Sequence, residues 1–372
     1  MIESAHFHNF KSLRDVELTG LQRLTVLVGP SGVGKTSVLQ GLNLWAQAQQ
    51  MLSDTREGQE ETRRILKRLV TDGSEDLRID FRRERQKLTV RVDQGVVIVS
   101  KPGPDDTTAE KIAKDPSELE RWMEEDAGEL ERHLRQSILF KFDPEHLGAS
   151  SLAARSPRLA SNGDGLATLL AYLAGADRDA IEAIEGELRA ITQITGRIRT
   201  LPDEIWVTER ENIRIDEQVV QRTTRRQAAA HRFEVEVVGF GSIPGDLLSE
   251  GTLVSLGVLT VLHQPNGPSL ILFDDVDRGL HPDAQAKLLA ILRKFLALRE
   301  DLQIICTTHS PYLLDHIAPE EVQVMSFDEG QVVAARLDQH EDWPNWKGKL
   351  QTGEFWQSAG ESWVKASKRD VG

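Results

Sequence analysis

Leu24-Thr25-Val26-Leu27-Val28, followed directly by Gly29-Pro30-Ser31-Gly32-Val33-Gly34-Lys35-Thr36-Ser37, decides the architecture of this chain. The first part is an unbroken apolar run, the pattern of a strand buried on both faces. The second fills every position of G-x-x-x-x-G-K-[ST], a loop whose backbone N–H groups cradle phosphates. Glycines let that loop bend with its N–H groups inward, and Ser37 to Trp45 reads as a helix. A phosphate would meet this helix at its N-terminus, where unpaired N–H groups and aligned peptide dipoles favour an anion. The first implication is a nucleotide.

Composition sets the outer limits. The 372 residues suffice for one large domain or two, and 39% hydrophobic content suffices for a buried core. No run approaches the roughly 18 apolar residues of a membrane span, and Met1-Ile2-Glu3-Ser4 lacks the basic-then-apolar layout of a signal peptide. The expectation is a soluble cytoplasmic protein with no membrane partner. Cys306, the single cysteine, lies in the apolar run Ile304-Ile305-Cys306 and reads as a small buried strand residue. A net charge of -14 argues against coating nucleic acid by bulk electrostatics. Local basic clusters are the candidates for DNA contact: Arg63, Arg64, Lys67 and Arg68; Arg82, Arg83 and Arg85; Arg222, Arg225 and Arg226. The rival reading makes each a solvated face among acids such as Glu60, Glu61 and Glu84.

Along the chain, Ala5 to Phe10 and Val16 to Leu18 read as short strands that pair ahead of the phosphate-loop strand. A charged helix is expected from Arg63 to Val70, with strands near Leu77 to Arg83 and Leu88 to Ser100. An acid-rich helical stretch from about Pro116 to Gln136 carries Leu119, Trp122 and Met123 on one face. Helices follow at Ala167 to Leu173 and Arg178 to Ile191, and strands near Glu204 to Val207 and Phe233 to Val238. The last third alternates most clearly: helix Thr252 to Leu262, strand Leu270 to Phe273, helix Pro282 to Leu298, strand Leu302 to Cys306. Apolar strands between amphipathic helices imply a mostly parallel sheet covered on both faces, an α/β class.

Ser269-Leu270-Ile271-Leu272-Phe273-Asp274-Asp275 is an apolar strand ending in paired acids, which a Mg-nucleotide site needs from its second half. One carboxylate can hold the metal and the next can orient an attacking water. Alone, such a pair is more often a solvated turn; beside a phosphate loop the balance reverses. Leu248-Ser249-Glu250-Gly251-Thr252-Leu253 begins a helix, and Thr307-Thr308-His309-Ser310-Pro311 follows a strand at β-α-β spacing from Asp274.

In this order the segments resemble the ABC-type ATPase heads of the structural-maintenance-of-chromosomes (SMC), RecF and OLD group. The resemblance covers about Met1 to Gly41 and Leu247 to Asp315 well, and the middle poorly. Phe7-His8-Asn9-Phe10-Lys11-Ser12-Leu13 is similar to the group's opening signature, and Asp274 through Gly279-Leu280-His281-Pro282 looks most like the OLD-type branch. Ser161-Asn162-Gly163-Asp164-Gly165-Leu166-Ala167 is a weaker likeness to a turn of that branch. The fold implied is an ABC-type P-loop NTPase head with N-terminal antiparallel strands, a mostly parallel core sheet and a helical insertion. Its expected parts are 1–100 with the phosphate loop, a mainly helical 101–235, 236–336 with the remaining motifs, and a Trp-rich tail 337–372.

The resemblance implies ATP and Mg2+ as cofactors. It assigns Lys35 to the β and γ phosphates and Thr36 to Mg2+, with Gly29, Pro30, Ser31, Gly32, Val33, Gly34 and Ser37 completing the phosphate loop. Asp274 would serve the metal, Asp275 would stand where the group usually has a water-polarising glutamate, and His309 would match the histidine that senses the γ phosphate. Ser249 and Gly251 would match the signature segment that closes over the ATP of an opposite subunit, so hydrolysis would need a head-to-tail ATP sandwich of two heads, a homodimer unless a second ATPase exists. Plainer readings stay open: Ser249 as a helix N-cap, Thr36 as a first-turn residue, His309 as a satisfied strand-end histidine.

Two departures matter. Asp275 reaches about one methylene less far than glutamate, which implies slow hydrolysis or an intervening water. The glutamine that normally links metal and γ phosphate has no match, because Lys141-Phe142-Asp143-Pro144 contains none and Gln136 comes too early. Only about 60 residues follow His309, fewer than the order of 100 that a nuclease domain of the OLD type needs, so a nuclease or toxin effector is expected on another chain. Trp343, Trp346, Phe355, Trp356 and Trp363 mark the tail either as an interface or as packing for the chain's own head. The leading expectation is an ATPase switch in DNA maintenance or anti-phage defence. The alternative is a slow-hydrolysing nucleotide-gated scaffold or sensor. A transporter motor subunit is disfavoured by the 239 positions between Lys35 and Asp274.

Overall fold

The computed structural model describes residues 1–47, 68–71, 74, 76–84, 86–93, 96–102, 108–112, 128–215 and 218–365. The chain divides into two compact units. The first comprises Met1–Leu139, Pro268–Asp277 and Leu289–Gly372; the second comprises Phe140–Gly267 and Arg278–Leu288.

The first unit holds two sheets. Strands β1 (Ser4–Phe10) and β2 (Leu13–Thr19) pair as expected, but in a sheet of their own with β4 (Asp76–Arg83), β5 (Gln86–Asp93), β6 (Val96–Pro102) and β7 (Thr108–Ile112). All five neighbouring pairs are antiparallel, in the order β2-β1-β4-β5-β6-β7. The other sheet is centred on β3 (Leu24–Val28), every residue of which is buried. Its order is β16-β15-β3-β14-β13-β8, using β8 (Ser137–Phe140), β13 (Leu270–Phe273), β14 (Gln303–Thr307), β15 (Val322–Asp328) and β16 (Gln331–Arg336). β15, β3, β14 and β13 run parallel, and β16 returns antiparallel to β15.

Helix α1 (Lys35–Leu42) follows the phosphate loop and contributes Val38, Leu39 and Leu42 to a core shared with Phe7 and Ile79 of one sheet and Leu272 and Ile305 of the other. Gly41 is needed for the close approach to β1, since a Cβ there would stand 2.5 Å from Phe7 Cε1. A buried polar knot ties the chain start to β14: Gln303 accepts from the Ile2 N–H at 2.8 Å, donates to the Ile2 and Gln22 carbonyls, and meets His133 Nε2 at 3.0 Å. His133 lies on α2 (Glu129–Arg135). Burial, followed by the nearby chain-terminal ammonium, pushes its imidazole down to about 4.

The second unit contains α3 (Pro144–Gly148), α4 (Leu166–Ala176), α5 (Arg178–Thr192) and α6 (Glu250–His263). With them stands a long antiparallel hairpin of β10 (Thr195–Ile215) and β11 (Gln218–Val237), paired with β9 (Ser151–Leu152) and β12 (Gly241–Pro244). This corrects the mainly helical reading of 101–235. The strands extend far beyond the short runs expected near Glu204 and Phe233: antiparallel pairing runs from Thr195 opposite Val237 out to Ile215 opposite Gln218, so the backbone ladder sets their length.

Helix α7 (Pro282–Leu298) joins β13 to β14 in the chain. The C-terminal part packs on its own unit: Trp343 and Phe355 are buried with rings 5.1 Å apart. The Gly353 N–H donates to Asp315 Oδ1 at 3.0 Å and the Thr352 hydroxyl to the Ile317 carbonyl at 2.6 Å. Arg63, Arg64, Lys67, Arg85, Leu119, Trp122 and Met123 lie outside the described residues. No helix among the described residues is long and apolar enough to cross a membrane.

Candidate functional site

The parallel strands bring distant segments together. In the order β3-β14-β13, the loops at the three carboxyl ends lie side by side, the edge where open α/β sheets bind ligands. Residues 29–37, 274–277 and 307–309 therefore converge although more than 200 positions separate the first group from the second. Register sets the levels: Thr307 stands opposite Leu27 and one position beyond the Phe273–Cys306 pair.

The phosphate loop has the shape its glycines require. Gly29, Gly32 and Gly34 have φ of 139°, 82° and 110°, a region that L side chains rarely adopt. A Cβ at Gly29 would stand 2.2 Å from the Met325 carbonyl oxygen, and one at Gly34 2.9 Å from Ser12 Oγ. A Cβ at Gly32 would meet nothing beyond its chain neighbours within 4 Å, so that face of the loop is open. Ser12 belongs to the β1–β2 turn, so the opening signature has a physical job: its tip rests on the loop. Lys35 is folded back, its ammonium donating to the Gly29 and Pro30 carbonyls at 2.8 and 3.0 Å. Burial lowers its pKa, against the pull of the carboxylates of Asp275, Asp274 and Glu361.

Across from Lys35 stands the acidic strand end. The Thr36 hydroxyl lies 3.0 Å from both carboxylate oxygens of Asp274, which is buried. Thr307, fully buried, donates its hydroxyl to Asp274 Oδ1 at 3.0 Å and accepts the Asp275 N–H at 2.7 Å. The same hydroxyl lies 3.4 Å from Asp275 Oδ1. Asp275 itself has φ of 58°, the left-handed region. Burial raises the Asp277 carboxyl pKa, opposed first by a hydrogen bond from Thr308; the Asp275 charge adds to the rise and His309 counters it. His309 is exposed at the end of β14.

These side chains fit a nucleotide with a divalent cation. The open face at Gly32, the cationic lysine and the loop N–H groups suit phosphate, while a hydroxyl already against a carboxylate is a donor set of the kind Mg2+ takes.

Ser249 and Gly251 belong to the second unit. Ser249 is the N-cap of α6: its Oγ accepts the Thr252 N–H at 3.3 Å and meets the Thr252 hydroxyl at 2.8 Å. Gly251 abuts the turn that follows the acids, since a Cβ there would stand 2.4 Å from the Gly279 carbonyl oxygen. Arg278 and Glu250 pair beside it. The signature-like segment and the Gly-Leu-His-Pro turn are thus one packed element.

Residues 24–315 match the family described as "AAA domain, putative AbiEii toxin, Type IV TA system". The chain belongs to this family. Over 67 residues it is 39% identical to the Septu protein PtuA of Bacillus thuringiensis, a stretch covering 18% of this chain and 16% of that one. Among solved structures it is similar to the SMC head bound to the C-terminal winged-helix domain of ScpA, with TM-score 0.53, 13% identity and coverage of 92% of this chain and 99% of that one. An SMC head with an extended coiled coil bound to the C-terminal domain of ScpA, from Pyrococcus furiosus, gives a TM-score of 0.48 at 11% identity, covering 94% and 99%. The fold is the ABC-type ATPase head, as the resemblance implied.

Sequence reasoning passed over Thr307, Thr308 and Asp277 within the site. Their signal was present, two hydroxyls directly before His309 and a third acid after Asp275, but their role depends on strand register. The glutamine ligand stays unassigned: Lys141 donates its N–H to the Ser161 carbonyl, and Asp143 caps α3 through the Glu145 N–H. Of the basic clusters, Arg222 and Arg225 are exposed, Arg226 pairs with Glu209 at 2.7 Å and Arg83 with Glu129 at 2.7 Å.

Proposed function

We propose that this chain binds Mg-ATP at the carboxyl edge of the parallel sheet and hydrolyses it as half of an ATP-sandwiched homodimer. The observation that carries this reading is the Thr36 hydroxyl held against Asp274 beside a phosphate loop whose lysine is in place. Mg2+ bound there would neutralise charge on the β and γ phosphates. Lys35 would leave the Gly29 and Pro30 carbonyls for phosphate oxygens, and the N–H groups of Ser31, Gly32, Val33 and Gly34 would hold the rest. Asp275 would orient the attacking water and His309 would read the γ phosphate. Ser249 and Gly251, at the N-terminus of α6, would meet the nucleotide of the other copy. Mg-dependent ATPase activity that disappears in Lys35→Ala tests this; normal turnover in that variant would refute it.

The cycle would act as a switch in anti-phage defence or DNA maintenance, in the cytoplasm, through a separate nuclease or toxin effector. The likeness to the Septu protein PtuA and the toxin–antitoxin description of the family support the defence arm. Exposed Arg222 and Arg225 are the candidates for DNA contact. A slow nucleotide-gated sensor is favoured by one observation, the short side chain of Asp275 at the water position. Comparing turnover and dimer lifetime with Asp275→Glu separates the two: a large gain in hydrolysis supports the sensor, and no gain supports the enzyme.

A further inference from the structure

The outer face of the N-terminal sheet carries a cluster unrelated to the nucleotide edge. Along β1, Ala5 and Phe7 point into the core, so His6 and His8 both point outward, as alternate strand residues must. Register sets acids on either side: Asp15 of β2 is opposite His8, and Asp80 of β4 is opposite His6. His6 Nε2 lies 2.7 Å and His8 Nδ1 3.2 Å from the same oxygen, Asp15 Oδ1. The two imidazole rings are tilted 54° to each other, their centroids 3.9 Å apart. One ligand atom each from His6, His8 and Asp80 lies within 4.8 Å of the others.

The two acids are not equivalent. Asp80 is nearly fully buried and already served by Arg78 at 2.6 and 3.0 Å, Thr89 at 2.6 Å and Lys87 at 3.3 Å. Its charge is spent on those partners, so it borders the cluster as a fixed wall. Asp15, a third exposed, is the carboxylate on which both imidazoles converge. A simple ion pair needs only one histidine. Two imidazoles of an H-x-H strand pair and a carboxylate meeting at one point are instead the nitrogen and oxygen donors that Zn2+ and its neighbours in the first row take. Bond lengths near 2.1 Å in a tetrahedral site set ligand atoms about 3.4 Å apart; His8 Nδ1 stands 3.2 Å from Asp15 Oδ1, and His6 Nε2, hydrogen-bonded to it at 2.7 Å, would have to draw back to admit an ion.

We propose that His6, His8 and Asp15 form a binding site for a divalent metal ion of the zinc class, bordered by Asp80, that ties β1 to β2 on the outer face of the sheet. This site is independent of the proposed ATP chemistry.

The test uses the full chain stripped of metal with a chelator. Titration calorimetry with Zn2+, and visible absorption with Co2+, are expected to report one site per chain that survives in Thr36→Ala, which separates it from the nucleotide cation. His6→Gln and His8→Gln should each weaken Zn2+ affinity by about tenfold or more, a typical cost of damaging a metal site, and Asp15→Asn should weaken it as well. Circular dichroism of each variant confirms that the sheet is folded, and Zn2+ should raise the melting temperature of the wild type but not of the His6→Gln/His8→Gln double variant. Unchanged Zn2+ binding in that folded double variant, or no binding by the wild type, would overturn the proposal.

Discussion

Thr307→Val is the most incisive perturbation of the nucleotide edge. The two side chains have nearly the same shape, so the exchange removes one hydroxyl and little volume. That hydroxyl is fully buried, donates to Asp274 and accepts the Asp275 N–H. Losing a hydrogen bond to a charged acceptor costs about 1.5–3 kcal/mol, and stranding a buried N–H costs about 1–3 kcal/mol. The two losses fall on one hydroxyl and overlap, so roughly 3 kcal/mol is expected. For a unit of this size that lowers the melting temperature by about 6–12 °C. Turnover should suffer separately, because both acids lose the group that aims them; misplacement near 1 Å can cost about 100-fold. Differential scanning calorimetry and steady-state ATPase assays on Thr307→Val, with Thr307→Ser as the hydroxyl-retaining control, read both effects. A Val variant that melts and turns over like the wild type would refute the positioning role of Thr307.

Gly41→Ala should destabilise the first unit by roughly 1–3 kcal/mol through overpacking against Phe7, although alanine favours helix, and urea unfolding will show it. His133 sets a pH dependence: its folded pKa of about 4 lies below the unfolded value of about 6.5. Stability is therefore complete above pH 6.5 and falls by about 2 kcal/mol by pH 5, as the unfolded chain takes up the proton first. In His133→Gln that part of the slope should vanish when denaturation is compared at pH 7 and pH 5. Gly251→Ala should disturb the start of α6 against Gly279 and weaken ATP-dependent dimerisation while the monomer still binds ATP, a separation that ultracentrifugation and fluorescent-nucleotide titration will check.

Legibility in the sequence followed the source of each element's stability. β3, β13 and β14 are buried on both faces, so their apolar runs announced them, and the motif residues at their ends came with them. Of the β10–β11 hairpin, the sequence showed only short runs near Glu204 and Phe233, where Phe233, Val235 and Val237 alternate into the core; its full length is a matter of backbone pairing. The site divided in the same way. Lys35, Thr36 and Asp274 were visible because spacing along the chain defines the motif. Thr307 was not, since its task follows from standing beside both β3 and β13, a fact of sheet order that no local pattern encodes.

The left-handed backbone at Asp275 is one that aspartate tolerates well, because a short polar side chain can satisfy its own neighbourhood. It is not closed to a longer acid: Glu84 and Glu329 of this chain also take positive φ, both 49°. The turn after β13 therefore leaves the length of the acid free to vary, and Asp275→Glu changes chiefly the reach of the carboxylate.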